Sequence, residues 1–251
     1  MGEWKKLKAK DGHELSAYTS KPEGSPKGAV VVVQEIFGVN SHIRSVVDGF
    51  AGEGFVAVAP ALFDRIERGV ELAYAGEDLQ RASGFYKLLV AETAILDVGA
   101  AFGAVEDEGA GAGIVGYCYG GLLSWLSATR GPADGFRPKV CVGYYAGGIG
   151  AVAKEQPTCP VSLHFGTQES HIGTDQIDAV RLAHPEVQIY LYEGAGHGFN
   201  CDSRSSYHPA AAAMARERTL AFLHEHIGFD GISGVRGGFG GSDFQVQVAL
   251  P

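Results

Sequence analysis

The stretch Gly113-Ile114-Val115-Gly116-Tyr117-Cys118-Tyr119-Gly120-Gly121 decides the fold. Residues 113–117 are predicted to form a buried strand, and residues 122–128 continue as a helix. Between them, Cys118 occupies the pattern G-x-nucleophile-x-G, with cysteine where serine is commoner. The flanking glycines allow a tight turn, because larger side chains two residues either side of the nucleophile would collide. This order of elements predicts a thiol raised above an α/β sheet, beside a helix N-terminus that favours its thiolate.

Apolar runs that alternate with helical segments occupy most of the remaining chain. Further buried strands are predicted at residues 29–33, 55–59, 139–144, 161–165 and 187–192. Helices are predicted at residues 42–53, within 70–105, and at 174–183 and 208–226, and a hairpin at residues 4–19 with its turn at Asp11-Gly12. Strands that are apolar on both faces and separated by helices indicate an α/β fold, with a mainly parallel central sheet covered on both faces.

The predicted elements form one domain, residues 1–227, followed by a segment of different composition. Residues 228–251 contain seven glycines and are predicted to be a flexible tail. Phe244, Val246 and Val248 alternate with polar residues, so an added edge strand stays open as the alternative.

Composition and charge exclude several classes of protein. The 251 residues carry a net charge of −9, which argues against a nucleic-acid surface. No apolar run approaches the ~18 residues of a membrane helix, and no signal peptide is visible. The four cysteines, at positions 118, 141, 159 and 201, lack CxxC or zinc-ribbon spacing. We therefore expect a cytoplasmic protein with reduced thiols that does not bind nucleic acid or membrane.

A thiol nucleophile needs a base and an acid that orients the base. His197 lies in the small-residue stretch Gly194-Ala195-Gly196-His197-Gly198, which follows the last predicted strand. Glu169 is the first carboxylate after the strand of residues 161–165, so it is the preferred acid, and Asp175 and Asp178 are its weaker rivals. His42, His208 and His224 fall in predicted helices and are expected to be solvated.

A second carboxylate stands at the end of a central strand, in Gln34-Glu35-Ile36-Phe37-Gly38-Val39-Asn40. Ionised glutamate is rarely buried without a partner, so Glu35 is a candidate functional group. The structural alternative is an ion pair between Glu35 and a nearby arginine, such as Arg44 or Arg65.

The motifs at residues 34–40, 116–121 and 194–197 together resemble the dienelactone hydrolase family, in the same order and across residues 5–227. The resemblance implies an α/β-hydrolase fold and a Cys-His-acid catalytic set, with Cys118 as nucleophile and His197 as base. It also implies that Glu35 contacts the thiol and controls its activation as substrate binds. The implied oxyanion donors are the backbone N–H groups of Ile36 and Tyr119.

The chain departs from the family at the acid and at a substrate-binding position. Glu169 stands where aspartate is usual, and Cys201 stands where family members acting on dienelactone have an arginine. Arg81 and Tyr86 resemble other family substrate contacts. If an anionic substrate were nevertheless preferred, Arg81 or Arg204 would be expected to bind its carboxylate.

The missing arginine predicts a neutral, aryl-type substrate. Aromatic side chains expected near the pocket support this, among them Phe37, Tyr86, Tyr119, Tyr144 and Tyr145.

We expect a hydrolase that cleaves activated esters or lactones through an acyl-cysteine intermediate, without cofactor or metal. Its partner would be a small-molecule substrate, and the chain could be a monomer or a homodimer. Promiscuous phosphotriester hydrolysis at the same site is an alternative, because the oxyanion donors could also stabilise a phosphoryl oxygen. Two non-enzymatic alternatives are a redox sensor at Cys118 and a hydrolase-fold scaffold that only binds.

Overall fold

A computed structural model describes residues 2–228 and contains one mostly parallel sheet within that range. The strand order is β1-β2-β4-β3-β5-β6-β7-β8. The strands are β1 (Glu3–Lys8), β2 (Glu14–Ser20), β3 (Gly28–Val33), β4 (Phe55–Pro60), β5 (Ala112–Tyr117), β6 (Cys141–Tyr144), β7 (Val161–Gln168) and β8 (Gln188–Gly196). The hairpin β1–β2 is antiparallel and β2 joins β4 in the same sense, whereas β3 to β8 pair in parallel.

Residues 2–228 contain six α-helices, the first five between parallel strands and the last after β8. They are α1 (Ser41–Gly52), α2 (Gly76–Tyr86), α3 (Ala91–Gly103), α4 (Tyr119–Asp134), α5 (Thr174–Ala183) and α6 (Pro209–Ile227). Helix α1 packs on β4, α4 packs on β5 and β6, and α6 contacts β5, β7 and β8. Every residue of β3, β4 and β5 is buried, so both faces of these central strands are covered, as their apolar sequences predict. The predicted α/β-hydrolase fold is confirmed.

Two strands extend beyond their predicted ends. Strand β7 continues to Gln168, and β8 includes Gly194-Ala195-Gly196, which the sequence analysis assigned to a loop. These small residues lack the β-branched signal of a strand, yet Gln168 pairs with Gly196 across an irregular register. A side chain at Gly166 would collide with the carbonyl of Ala195, so glycine permits this close pairing. The extension carries both strands directly to Glu169 and His197.

The two interpretations of the C-terminal segment concern residues outside the described range, apart from Gly228, which follows α6. Among residues 2–228, no helix combines the length and apolarity needed to span a bilayer.

Candidate active site

The turn between β5 and α4 holds Cys118 in a strained backbone conformation. Its φ is +54° and its ψ is −114°, a region that side-chain-bearing residues rarely adopt. The Cys118 N–H donates to the Tyr144 carbonyl at 3.0 Å, which ties the turn to β6. A Cβ at Gly116 would overlap the Gly120 carbonyl, and a Cβ at Gly120 would overlap that of Val33. Glycine is therefore required at both positions for the turn to present the half-buried thiol.

Three side chains from three strand ends form one hydrogen-bonded chain. His197 Nε2 lies 3.2 Å from Cys118 Sγ, and His197 Nδ1 lies 3.0 Å from Glu169 Oε2. The side chains of His197 and Glu169 are only 9% and 3% exposed. The rival acid, Asp175, lies exposed in the first turn of α5 and makes no hydrogen bond to His197. The structure thus brings together the nucleophile, base and acid that the sequence analysis preferred.

The surroundings of His197 favour a proton on its imidazole ring. Burial lowers the pKa of His197, but hydrogen bonds to Cys118 and Glu169 outweigh burial and raise the pKa to about 10. The ring of Tyr145 packs 5.0 Å from the imidazole and limits its movement. The arrangement can therefore hold an imidazolium against the thiol sulfur, ready to return a proton to a leaving group.

The two backbone amides that the resemblance implies as oxyanion donors belong to Ile36 and Tyr119. The N–H of Tyr119 is the first of α4, so it has no intrahelical carbonyl partner. The tight approach of Gly120 to the carbonyls of Val33 and Gln34 brings the start of α4 against the residues before Ile36. Ile36 is partly buried in the turn after β3. The N–H groups of Ile36 and Tyr119 are thus carried by two segments in direct contact.

Glu35 is buried beside this site and paired with an arginine that was not its predicted partner. Arg204 Nη1 donates to Glu35 Oε1 at 3.1 Å, and Glu35 is 1% exposed. The suggested partners are engaged elsewhere: Arg44 with Glu71, and Arg65 with Asp11 and Asp97. The expected ion pair of Glu35 therefore exists, but the predicted partner was wrong, because the actual partner, Arg204, is remote in sequence.

The contact between Glu35 and the nucleophilic thiol that the resemblance implied is not present as a hydrogen bond. Within residues 2–228, the Cys118 thiol is bonded to His197, and Glu35 Oε2 has no hydrogen-bond partner. Glu35 Oε2 can therefore accept one further hydrogen bond.

The candidate substrate contacts divide into those near the thiol and those away from it. Tyr86 is 44% exposed and its ring lies 5.5 Å from that of Tyr119. Phe37 is buried, with the Arg204 guanidinium 5.7 Å from its ring centre. Arg81 is half exposed and paired with Glu67 and Asp78, so the structure gives it no contact with the catalytic group.

Arg204 lies beside the candidate site, at a position that the family spacing does not select. It lies seven positions after His197, whereas the family arginine lies four positions after the histidine, where this chain has Cys201. Burial raises the pKa of the Cys201 thiol to about 11, so that position carries no charge at neutral pH. The Arg204 N–H donates to the Cys201 carbonyl, and this turn returns the guanidinium to Glu35.

One cluster near this turn has the composition of a metal site. His42, Cys201 and Asp202 offer nitrogen, sulfur and oxygen atoms within 4.8 Å of one another, a donor set that zinc accepts. His42 was expected to be solvated, but it is buried, and its Nδ1 lies 3.1 Å from Asp202 Oδ1. The hydrogen bond between His42 and Asp202 accounts for the contact of these two groups without a metal ion.

Comparison with known proteins identifies the family of this chain. The sequence model of the dienelactone hydrolase family matches residues 15–227. Carboxymethylenebutenolidase of Pseudomonas putida is 34% identical over 228 residues, covering 86% of this chain and 94% of that protein. A putative carboxymethylenebutenolidase of Escherichia coli K12 is 30% identical, covering 86% of this chain and 84% of that protein.

Solved structures show the same fold. A putative dienelactone hydrolase from Klebsiella pneumoniae aligns with a TM-score of 0.75 and 26% identity, over 90% of this chain and 99% of its own. A dienelactone hydrolase-like promiscuous phosphotriesterase from metagenomic libraries aligns with a TM-score of 0.70 and 19% identity, over 90% and 98%. With the family match, these findings show that the chain belongs to the dienelactone hydrolase family and is a hydrolase of esters or lactones.

Proposed function

We propose that this hydrolase works through a covalent acyl-cysteine intermediate on Cys118. The observation that carries the proposal is the continuous hydrogen-bonded chain Cys118–His197–Glu169 at 3.2 and 3.0 Å. The proposal is also supported by the close approach of Gly120 to the carbonyls of Val33 and Gln34, because it brings the segments that carry the Ile36 and Tyr119 amides into contact.

The chemistry follows from this placement. The Cys118 sulfur attacks the ester carbonyl, and the N–H groups of Ile36 and Tyr119 stabilise the negative oxygen of the tetrahedral intermediate. His197 gives its proton to the departing alcohol or enol, which leaves an acyl-cysteine thioester. His197 then removes a proton from water, and the attack of that water releases the acid and restores the thiol. Glu169 holds the imidazole in the required tautomer throughout.

The substrate we propose is a neutral, activated aryl ester or lactone. Arg204 is already neutralised by Glu35, Arg81 is paired at the surface, and Cys201 is uncharged. A carboxylated substrate would therefore have to compete with Glu35 for its cation. The rings of Tyr86 and Tyr119 offer an aromatic surface beside the nucleophile.

Rapid mixing with 4-nitrophenyl acetate tests the mechanism. We expect a burst of nitrophenol equal to the enzyme concentration, with the acetyl group located on Cys118 by mass spectrometry. Cys118→Ala should lose the burst and the adduct, whereas Cys201→Ser should keep both. Turnover by Cys118→Ala within tenfold of wild type would refute the covalent mechanism. Absence of any burst or turnover would also contradict the proposal; reversible oxidation of Cys118 would then indicate the redox alternative, and a Cys118 that is not oxidised would indicate the binding-only alternative.

A second candidate activity is phosphotriester hydrolysis at the same thiol. Solved structures with the same fold include the promiscuous phosphotriesterase and a Thermogutta terrifontis esterase phosphorylated by paraoxon, which are 19% and 20% identical to this chain. The oxyanion donors would stabilise a phosphoryl oxygen as they do a carbonyl oxygen. Incubation with paraoxon decides this: repeated turnover supports the activity, and a single stable adduct on Cys118 shows inhibition alone.

A further inference from the structure

Two cysteines that the proposed mechanism does not use lie side by side at the end of the sheet opposite to Cys118, near the N-terminal ends of the strands. Cys141 is the first residue of β6, and Cys159 lies two residues before β7. Their sulfur atoms are 3.8 Å apart. Cys118 follows the C-terminal end of β5, whereas this pair lies at the N-terminal ends of the neighbouring strands, so it is separate from the catalytic group.

One thiol of the pair can be reached from solvent and the other cannot. Cys159 is partly exposed and contributes to the wall of a cavity of about 480 Å³ that is also lined by Phe222 and His226. Cys141 is 0% exposed, and burial raises the pKa of its thiol well above the ordinary value. A small oxidant would therefore reach the Cys159 thiol first, and the protonated thiol of Cys141 lies buried next to it.

Hydrogen bonds fix the backbone on both sides of Cys159 and so keep its side chain next to Cys141. The Thr158 N–H and hydroxyl both donate to the Ala128 carbonyl, at 2.9 and 2.7 Å. On the other side, the Cys141 N–H donates to the Pro160 carbonyl at 3.0 Å. Closing the gap to a disulfide of ~2.05 Å then requires side-chain rotation and a small shift between two fixed points.

We propose that Cys141 and Cys159 form a modification site for hydroperoxides, in which the two thiols are converted to an intramolecular disulfide. The Cys159 sulfur attacks a peroxide oxygen, so that an S–O bond forms, the O–O bond breaks and water or an alcohol leaves. The Cys141 sulfur then attacks Cys159, which forms the S–S bond and releases the sulfenic oxygen as water with the thiol proton. Two thiols are oxidised and one hydroperoxide is reduced.

This site differs from the redox hypothesis drawn from the sequence, which placed the oxidised thiol at Cys118. Cys141, which would form the disulfide with the oxidised Cys159, is 18 positions away from it in sequence but adjacent to it in the structure. The proposal does not depend on the ester-cleaving role of Cys118, so either can fail without the other.

The experiment uses the full-length chain with Cys118→Ala or Cys118→Ser, so that the catalytic thiol cannot react. After treatment with hydrogen peroxide, we expect the intact mass to fall by two hydrogens and a peptide map to show Cys141 linked to Cys159. The melting temperature should rise by roughly 5–10 °C, because the cross-link closes the loop between positions 141 and 159 and so restricts the unfolded chain. Reduction with dithiothreitol should reverse this rise. Adding Cys201→Ser should leave these results unchanged.

Cys159→Ser in the same background should abolish the cross-link and the shift. Cys141→Ser should leave Cys159 to accumulate as sulfenic or sulfinic acid. The proposal is overturned if the unsubstituted pair also accumulates sulfinic acid at Cys159 without a cross-link, or if the cross-link joins Cys201.

Discussion

Arg204 donates to Glu35 across 3.1 Å, and this ion pair joins the end of β3 to the turn that follows β8, 169 positions later in the chain. The Glu35 side chain is 1% exposed and that of Arg204 is 20% exposed. Two charges held this far from water depend on each other, since removing one leaves the other buried and uncompensated. The pair also keeps a cation beside the nucleophile in a neutralised state.

The first prediction concerns the stability that this dependence implies. Arg204→Met should lower the free energy of unfolding by about 3–5 kcal/mol, because Glu35 then stays buried without its partner. Glu35→Gln combined with Arg204→Met should be less destabilised than Arg204→Met alone. Urea denaturation of the wild type, both single variants and the double variant measures the coupling. Strictly additive losses would show that the two side chains do not stabilise each other.

The second prediction concerns the charge of the substrate. Glu35→Gln removes the anion that competes for Arg204, so a carboxylated dienelactone should gain relative to a neutral aryl ester. One charge-assisted hydrogen bond is worth about 1.5–3 kcal/mol, which is roughly ten- to a hundredfold in the ratio of the two kcat/KM values. Using the ratio cancels any common effect of Glu35 on the thiol. A wild type that already prefers the dienelactone tenfold would mean that Arg204 leaves Glu35 for the substrate, contrary to the proposed preference.

The third prediction separates the two candidate acids. Glu169→Gln should reduce kcat by about 10³–10⁴-fold, because an amide favours the wrong imidazole tautomer at His197. Asp175→Asn, in the first turn of α5, should stay within threefold of wild type. Steady-state kinetics with circular dichroism as a folding control measures both. The opposite pattern would transfer the role to Asp175.

The local chemistry of the site could be read from the sequence because each part is a local signal. Cys118 is marked by its flanking glycines, and Glu169 and His197 come a few residues after predicted apolar strands. Parallel strands bring their C-terminal ends to one edge, so three such positions were expected to meet there. The structure brings them within hydrogen-bonding distance.

The long-range pairings could not be read in this way. The partner of Glu35 depends on how the turn after β8 folds back, and Arg204 lies outside the family spacing. The buried His42 is hydrogen-bonded to Asp202, which is 160 positions away. Periodicity places a residue on a helix but does not show what later loop covers it.

The fourth prediction concerns the glycines that shape the nucleophile turn. Gly120→Ala should severely destabilise the protein or displace Cys118, because the added Cβ would overlap the carbonyls of Val33 and Gln34. Gly84→Ala is the matched control: it lies in α2 with open space around it, and should be neutral or stabilising by up to about 1 kcal/mol. Melting temperature and the burst amplitude with 4-nitrophenyl acetate measure the two effects. A Gly120→Ala variant with wild-type stability and burst would show that the turn tolerates a side chain.

The last prediction is a pH dependence that arises in the core, at His164 on β7. Its Nδ1 lies 2.7 Å from the Tyr192 hydroxyl, its Nε2 lies 3.2 Å from Ser162 Oγ, and its ring stacks on Tyr144. Burial lowers the pKa of His164 to about 3, with a smaller contribution from the charge of Arg218. In the unfolded chain the pKa returns to about 6.5.

Between these two pKa values the unfolded state binds a proton that the folded state does not. The contribution of His164 to stability is therefore full above pH 6.5 and is lost as the pH falls toward 3. Between pH 7 and pH 5 the loss amounts to about 2 kcal/mol. Urea denaturation at both pH values should show that His164→Gln, which has no titrating ring, loses about 2 kcal/mol less than wild type over this interval. The other titrating groups are common to both proteins, so equal losses would mean that His164 is protonated within the folded core.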